Sequence, residues 1–313
     1  MSPLSPASAE AIARLRAYVP PPTNYDSVPL SRRAAVLVLL YADPKGDLRV
    51  VLTIRAKTLS SYAGQAALPG GKADSLSETA FETARREAAE EIGLPDIGQP
   101  FPPPFRVEHL CEFPANLAKT ELVVRPCVAL LHSFDEKTGM NADPEVALIP
   151  RLDAKEVAAV FTAPFHNFLL MRDEQTGEDN RQLPGKPEDW YRGSWTSWHE
   201  SDWRMHQFFV PITEKNVTKP RTGRRAQNAA VNKLEEREQS GKLTRYRVFG
   251  MTARILVDVA RVAYDQEPEF EHNSHFGDEE MIAKLRKIGR LSAIKRPGDE
   301  LTRETMEKAA KLS

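Results

Sequence analysis

The sequence predicts an α/β protein, because strand patterns and helix patterns alternate along the chain. Two apolar runs, residues 34–41 and residues 48–54, are separated by a short polar turn, which indicates a β-hairpin. Residues 77–92 have the pattern of a helix that ends at Gly93, since glycine commonly follows the last helical turn. Residues 249–264 predict a second helix with its apolar side chains on one side.

The same patterns divide the chain into three parts. Residues 1–30 predict an N-terminal arm with a short helix before a triple proline, and residues 31–265 predict the main domain. Residues 266–313 predict a polar C-terminal tail with a helical extension. Two polar segments interrupt the main domain: residues 172–204 carry all four tryptophans, and residues 221–242 predict a solvated helix or a mobile loop. Further strand patterns lie at residues 107–113, 122–131, 154–165 and 207–212.

The composition argues against several classes of partner. Lys and Arg number 43 and Asp and Glu 44, so the formal net charge of -1 predicts neither a nucleic-acid polymer nor a membrane surface as partner. The longest apolar run, residues 34–41, is too short to span a bilayer, and the N-terminus lacks a signal-peptide pattern. Cys111 and Cys127 are too few for a disulfide framework or a zinc site. The oligomeric state stays open.

Three glutamates carry the strongest chemical signal in the sequence. Glu87, Glu90 and Glu91 are spaced i, i+3 and i+4, which places them on one face of the predicted helix. Like charges this close repel one another unless a cation binds them, and Mg²⁺ takes a few carboxylates together with substrate phosphates and waters. Gly70 and Gly71 let the backbone approach a metal or phosphate closely just before the helix. A solvated acidic helix face is the alternative interpretation.

The residues around these glutamates resemble a known family motif. Residues 86–94, REAAEEIGL, resemble the second half of the Nudix box, R-E-U-x-E-E-x-G-U, in which U is aliphatic. The box has a glutamate eight residues before its arginine, and Glu78 stands there. Its glycine precedes that glutamate by six residues, but here Lys72 holds that position and Gly71 is one residue further back. The extra residue falls in a predicted loop, where insertions are tolerated.

The resemblance implies a fold and a set of roles. It implies the Nudix α/β/α sandwich, a mixed sheet between helices, and a diphosphatase that depends on Mg²⁺ or Mn²⁺. Glu87, Glu90 and Glu91 are then the metal ligands. Arg86 is expected to orient the carboxylates, with Glu78 as its partner, and these two complete the catalytic set. For Arg86 and Glu78 a surface ion pair of little energetic value is the alternative.

The reaction implied by the family is hydrolysis of a diphosphate bond between two organic groups. A bound metal polarises a phosphoryl oxygen and lowers the pKa of a bound water, and a protein carboxylate can serve as general base. The base is not assigned by the motif. Glu156 is one candidate, and the alternative is that it begins a strand and faces solvent.

A second motif narrows the resemblance to the coenzyme A diphosphatase subgroup. Residues 52–71, LTIRAKTLSSYAGQAALPGG, are similar to its signature, roughly LLTxRSxxLxxHxGxVxFPGG. Seven positions agree: Thr53, Arg55, Leu59, Gly64, Pro69, Gly70 and Gly71. Four positions depart from it: Ala56, Tyr62, Ala66 and Leu68. The resemblance suggests that substrate is bound by Arg55, Lys57, Gly64, Gly70 and Gly71, with a solvated loop charge the alternative for Lys57.

Coenzyme A or an acyl or oxidised derivative is therefore the expected small-molecule substrate, cleaved to 3′,5′-ADP and a 4′-phosphopantetheine fragment. Another nucleoside diphosphate derivative, such as an oxidised dNTP, NADH or ADP-ribose, is the alternative within enzymes. An alternative of another class is a Nudix-fold module that binds a nucleotide without turnover. The tryptophans of residues 172–204 either stack an adenine or, more commonly for such clusters, pack a small subdomain against the sheet.

The expected location is the cytoplasm. Residues 310–312, AKL, resemble the peroxisomal terminal tripeptide, but that signal must stand at the very end of a chain, and Ser313 follows it. A peroxisomal location is the alternative.

Overall fold

The fold was analysed in a computed structural model of the chain. The structure describes residues 4–56, 65–142, 144, 157–174, 185–198, 201–213, 216–219, 229–294 and 301–312. In this part of the chain the helices are α1 Pro6–Ala17, α2 Ala80–Ile92, α3 Ala229–Gln239, α4 Gly250–Tyr264, α5 Glu279–Lys287 and α6 Arg303–Ala310. Short 3-10 turns lie at Tyr25–Ser27, Leu30–Arg32, His166–Leu169 and Pro187–Asp189.

The strands follow in chain order. They are β1 Arg33–Ala42, β2 Leu48–Arg55, β3 Ala66–Ala67, β4 Gly70–Lys72, β5 Arg106–Glu112, β6 Asn116–Leu117, β7 Val123–His132, β8 Phe134–Asp135, β9 Met140–Asn141, β10 Val157–Pro164, β11 Tyr191–Trp198, β12 Ser201–Pro211, β13 Val217–Thr218 and β14 Arg245–Phe249. The strand patterns of the sequence therefore appear as strands, with bounds that differ by a few residues.

A mixed sheet organises the main domain. Its strand order is β13-β10-β2-β1-β7-β5, with β3, β4 and β6 paired to β2, β1 and β7. Strands β1 and β7 run parallel, whereas β2, β4 and β10 pair antiparallel with their neighbours. Parallel and antiparallel ladders in one sheet are what the predicted mixed sheet requires.

Alternate residues of the central strand β1 face two separate cores. Val38 and Leu40 are buried with side chains of α1 and α4, while Leu37 and Leu39 are buried with side chains of α2, α5 and α6. Successive side chains of a strand point to opposite faces, so an unbroken apolar run needs helices on both sides. The α/β/α sandwich is thus confirmed.

Helix α2 begins three residues later than predicted. Thr79 precedes the helix in an extended conformation. Its side-chain hydroxyl accepts a hydrogen bond from the Glu82 N–H, and its backbone N–H donates to the Glu82 carboxylate, which together form a capping box. Because this cap fixes the first turn, the predicted start at Ser77 is wrong. The predicted end is right, since Gly93 follows Ile92 in the left-handed conformation with φ 71°.

The tryptophan-rich segment contributes β11 and the start of β12 to a second, three-stranded sheet with the order β11-β12-β14. Trp190 is 0% exposed, and its Nε1–H donates to the Asn167 carbonyl at 2.9 Å. Its ring packs with Phe168 and Phe208. Packing, rather than adenine stacking, is therefore the role of Trp190, in agreement with the more common interpretation of such clusters.

The segment after Tyr264 is packed onto the domain in the part that the structure describes. Ile282 of α5 is 0% exposed and Met306 of α6 is 1% exposed. The Glu279 carboxylate accepts hydrogen bonds from the backbone N–H groups of Asn24, at 2.7 Å, and Ala115, at 2.8 Å. These contacts tie the N-terminal arm, the sheet and the C-terminal segment together, so the polar composition of residues 266–313 does not indicate a detached tail.

Two further expectations are answered in part. Helix α3 lies in the charged segment and buries Val231 and Leu234, so the helical alternative is right for Ala229–Gln239, while residues 220–228 lie outside the described residues. Among the described residues, no helix has the length and apolar character needed to cross a membrane.

We expect the substitution Trp190→Ala to lower the free energy of unfolding by about 3–5 kcal/mol, because it removes a large buried ring and leaves a cavity. Trp195→Ala is the matched control, since Trp195 is 46% exposed, and it should cost less than about 1 kcal/mol. Urea denaturation followed by circular dichroism measures both. Equal losses for the two variants would contradict a core role for Trp190.

Candidate active site

Strand β4 brings two glycines against the centre of the sheet and the side of helix α2. Gly70 pairs with Val36 and Gly71 with Ala35 of β1. Gly70 has φ +152°, and a Cβ there would lie 2.7 Å from the Val36 Cα and closer still to the Ala35 carbonyl oxygen. Only glycine combines this conformation with so close an approach. The second glycine serves a different purpose.

Gly71 leaves room for a carboxylate. A Cβ at this position would overlap both carboxylate oxygens of Glu87, although the backbone of Gly71 does not itself require glycine. The Glu87 side chain therefore occupies space that any other residue at position 71 would fill.

Glu91 is held by the neighbouring glycine and by an arginine. The Gly70 N–H donates to Glu91 Oε2 at 3.1 Å, and Arg55 Nη1 lies 3.6 Å from Glu91 Oε1. The Glu91 side chain is 2% exposed, whereas that of Arg55 is 42% exposed. A carboxylate this deeply buried needs a charged partner and hydrogen-bond donors, and these two groups supply them.

Arg86 contacts four acidic side chains. Its Nε donates to Glu78 Oε1 at 2.9 Å, and its Nη1 lies 3.2 Å from Glu87 Oε1 and 3.5 Å from Glu90 Oε1. Asp74 Oδ2 is 3.6 Å from the same Nη1. The carboxylates raise the pKa of Arg86, above all through the hydrogen bond with Glu78. One guanidinium thus offsets the repulsion of an acidic helix flank.

The loop between Lys72 and Glu78 is one residue longer than in the general motif. Hydrogen bonds to the Glu78 side chain and from the Arg86 side chain hold this loop in place. Glu78 Oε2 accepts hydrogen bonds from the Asp74 N–H at 2.9 Å and from the Thr83 hydroxyl at 3.1 Å. Arg86 Nη2 donates to the Lys72 carbonyl at 2.8 Å. Burial acts to raise the pKa of Glu78, but the hydrogen bonds from Arg86 and the Asp74 N–H outweigh it, so the pKa is lowered.

The donor set matches a hard divalent cation in chemistry. Glu87, Glu90 and Glu91 present only carboxylate oxygens, which Mg²⁺ and Mn²⁺ prefer. Within the described residues, however, no three His, Cys, Asp or Glu side chains are gathered closely enough to hold a metal ion. The separation has a visible cause, since Arg86 contacts Glu87 and Glu90 while Glu91 turns to Gly70 and Arg55.

The remaining predicted site residues divide into two groups. Arg55 lies beside Glu91 at the end of β2, and Gly70 and Gly71 lie beside α2. Lys57, Gly64 and Glu156 lie outside the described residues.

Sequence reasoning missed two contributors to the site. One is the Lys72 carbonyl, because a backbone group carries no signal in the side-chain pattern. The other is Asp74, through its N–H and its carboxylate. Asp74 could be seen in the sequence as an acidic loop residue, but the sequence did not show that its side chain points toward Arg86.

Comparison with known proteins places this geometry in context. The NUDIX domain family model matches residues 31–147. The chain is 29% identical over 291 residues to the peroxisomal coenzyme A diphosphatase 1 of Saccharomyces cerevisiae, an alignment that covers 90% of this chain and 83% of that protein. It is 31% identical over 174 residues to the uncharacterized Nudix hydrolase NudL of Yersinia pestis, covering 52% of this chain and 73% of that protein.

A plant relative is longer than the aligned region. Nudix hydrolase 15, mitochondrial, of Arabidopsis thaliana is 30% identical over 239 residues, which cover 76% of this chain and 61% of that protein. The chain therefore spans less than two thirds of this relative.

We expect Gly71→Ala to lower kcat by about 100-fold, because a displacement of a reacting group by about 1 Å has an effect of this size. The new methyl group must push the Glu87 carboxylate aside. Gly98→Ala is the control: its added Cβ meets nothing within 4 Å, so that variant should lose stability, through its φ of +84°, and keep its rate. Steady-state kinetics with thermal melting separates the two effects, and a Gly71→Ala enzyme of full activity would contradict the close-approach argument.

Proposed function

The chain belongs to the Nudix hydrolase family, and from this premise we propose that it hydrolyses the diphosphate bond of coenzyme A or its derivatives. The products are 3′,5′-ADP and 4′-phosphopantetheine, or its acyl form when the substrate is an acyl derivative. One water is consumed, and the bond between a phosphorus and the bridging oxygen is broken.

A single arrangement carries the proposal for the reaction type. Glu87 and Glu91 are set against Gly71 and Gly70 at the point where Arg55 also reaches the acidic flank of α2. Carboxylates and a guanidinium next to the two glycines suit a substrate that contains phosphate groups. Arginine in particular pairs with phosphate oxygens in a bidentate manner.

Glu87, Glu90 and Glu91 are the residues that would hold Mg²⁺ or Mn²⁺. When bound, such a cation neutralises charge on the diphosphate and activates a water for attack. The chain itself orients these carboxylates. Arg86 contacts Glu87 and Glu90 and is fixed in turn by Glu78. Arg55 lies beside Glu91 and is partly exposed, so its guanidinium stands where a phosphate group of the substrate would approach.

The choice of substrate is supported by similarity. The yeast relative named as a coenzyme A diphosphatase aligns with 90% of this chain. Thr53 and Arg55, two positions of the subgroup motif, lie on β2, and Gly70 and Gly71 lie on β4. The described residues give no separate reason to prefer an oxidised dNTP, NADH or ADP-ribose. The general base also stays a proposal, since Glu156 lies outside the described residues.

One prediction of the proposed function concerns the choice of substrate. The purified chain with Mg²⁺ or Mn²⁺ should release 3′,5′-ADP from coenzyme A faster than it cleaves NADH, ADP-ribose or an oxidised dNTP. Product identification by liquid chromatography and mass spectrometry measures this directly. Intact coenzyme A together with cleavage of one of the other compounds would overturn the choice of substrate while leaving the family reaction in place.

A second prediction concerns the buried carboxylate. Glu91→Gln should lower kcat by at least about tenfold, because it removes a charged oxygen ligand while it keeps the size of the side chain. Glu236→Gln, on the exposed side of α3, is the matched control and should keep full activity. Circular dichroism checks that both variants fold. Normal turnover by Glu91→Gln would exclude Glu91 as a needed ligand.

A third prediction concerns the metal. Removal of divalent cations with EDTA should abolish turnover, and adding Mg²⁺ or Mn²⁺ back should restore it, since an acidic flank of this kind needs a cation to approach an anionic substrate. Activity that survives dialysis against EDTA would contradict the assignment of the three glutamates as metal ligands.

The location is a separate proposal. The yeast relative is named as peroxisomal, which supports the alternative location, while the sequence favoured the cytoplasm. Fluorescence imaging of the natural protein, labelled at its N-terminus, decides between the two compartments.

A further inference from the structure

The outer face of the three-stranded sheet carries arginines and aromatic rings. Phe209 of β12 lies opposite Arg247 of β14, and Gln207 lies opposite both Phe249 and Arg192. Residues directly opposite one another, and residues two apart on a strand, share a face of the sheet. These five side chains therefore form one surface, which we call the arginine face.

The arginine face points away from the protein core. The alternating residues of the same three strands, which include Phe208, Tyr246 and Val248, are buried in the core shared with α4. The five residues of the arginine face are partly or fully exposed. The face is thus a partly exposed surface on the side of the second sheet that is turned away from this core.

Aromatic rings hold both guanidinium groups in place. The guanidinium carbon of Arg247 lies 4.2 Å from the centroid of the Phe249 ring, and that of Arg192 lies 5.2 Å from the centroid of Phe209. Arg247 Nε is buried and has no hydrogen-bond partner among the described residues. Arg247 is therefore the stronger candidate for binding an anion.

The arginine face is joined to the candidate active site by the backbone. Gln65 forms a parallel bridge with Arg247, and β3 continues directly from Gln65 along β2. The last pair of the ladder between β2 and β3 is Ile54↔Ala66, so Gln65 lies near the end of β2 that carries Arg55. The strands that carry Arg55 and Arg247 are thus two strand spacings apart, which is about 10 Å.

Arg55 and Arg247 also lie on the same side of this continuous β surface. Ile54 and Ala66, their neighbours in the ladder, are buried in the core with α4, as are Tyr246 and Val248 beside Arg247. Alternation then directs Arg55 and Arg247 to the opposite side, where Arg55 meets Glu91. A substrate held at Glu91 can consequently extend across Gln65 onto the arginine face.

We propose that the arginine face binds a phosphate monoester on the nucleoside portion of the substrate, with Arg247 as the principal ligand. This proposal rests on the proposed function, because the adenosine part of coenzyme A carries a 3′-phosphate in addition to its diphosphate. Charge complementarity selects this occupant, because the Arg247 guanidinium, held over the Phe249 ring, offers paired hydrogen-bond donors to a dianionic phosphate.

Direct binding of product tests the proposal without turnover. Isothermal titration calorimetry with adenosine 3′,5′-bisphosphate compares the whole chain with its variants Arg247→Gln and Arg192→Gln. We expect Arg247→Gln to weaken binding by about tenfold or more, because a charge-assisted hydrogen bond is lost, and Arg192→Gln to weaken it less. The control is Arg303→Gln, whose side chain is 82% exposed on α6, and it should bind as the unaltered chain does.

The contrast between two ligands identifies the group that is recognised. Adenosine 5′-monophosphate lacks the 3′-phosphate, so the unaltered chain should bind it more weakly, and Arg247→Gln should change its affinity by less than about twofold. A loss of equal size for both ligands would mean that Arg247 does not read this phosphate and would overturn the proposal. Equal affinity of the unaltered chain for both ligands would overturn it as well, as would the absence of bisphosphate binding.

Kinetics separates this proposal from the proposed function. The ratio of kcat/KM for coenzyme A to kcat/KM for 3′-dephospho-coenzyme A should fall by about tenfold in Arg247→Gln and stay constant in Arg303→Gln. If coenzyme A is cleaved and the ratio does not change, the arginine face is not the recognition site, although the proposed function stands. If coenzyme A is not cleaved but the bisphosphate binds through Arg247, the proposed function fails and the phosphate site stands.

Discussion

The close approach of strand β4 to helix α2 is the constraint on which the rest of the site depends. Gly70 has no side chain to collide with β1, and Gly71 leaves the space that the Glu87 carboxylate occupies. Helix α2 meets the sheet through small residues, Ala84 and Ala88, both of which are 0% exposed. A helix that packs through alanines lies close to the sheet, so its acidic flank reaches the backbone of β4 without a gap.

This closeness creates an electrostatic problem that two arginines reduce. Burying Glu91 removes its carboxylate from water, and a charge so placed is tolerated only with partners. Arg55 and the Gly70 N–H act on Glu91, while Arg86 acts on Glu87 and Glu90. The two arginines come from different places, one from a strand of the sheet and one from the helix itself. The negative charge of the acidic flank is consequently compensated by guanidinium groups from two different elements of the fold.

The second sheet is more than an addition to the surface. Its inner face completes the core around α4, with Trp190 and Phe208 fully buried. Its strand β14 bridges to Gln65, a residue of the segment that leads to Gly70. A single parallel bridge, Gln65↔Arg247, therefore joins the second sheet to the segment that leads into the candidate active site. A segment that looks like an insertion in the sequence thus contributes to the core and borders the segment that leads to Gly70.

Sequence and tertiary structure each determined a definable part of this protein. The uninterrupted apolar runs determined β1 and β2. The i, i+3, i+4 spacing determined that Glu87, Glu90 and Glu91 share a flank of α2, because both features depend on local geometry alone. The α/β fold class followed from such local patterns, whereas the reaction family followed from the resemblance of residues 52–71 and 86–94 to family motifs. Only the tertiary structure decided that Arg55 meets Glu91 and that Arg247 lies one strand beyond Gln65. These pairs are separated by 36 and 182 positions in the sequence, so their meeting depends on strand order and on packing, which no local pattern encodes.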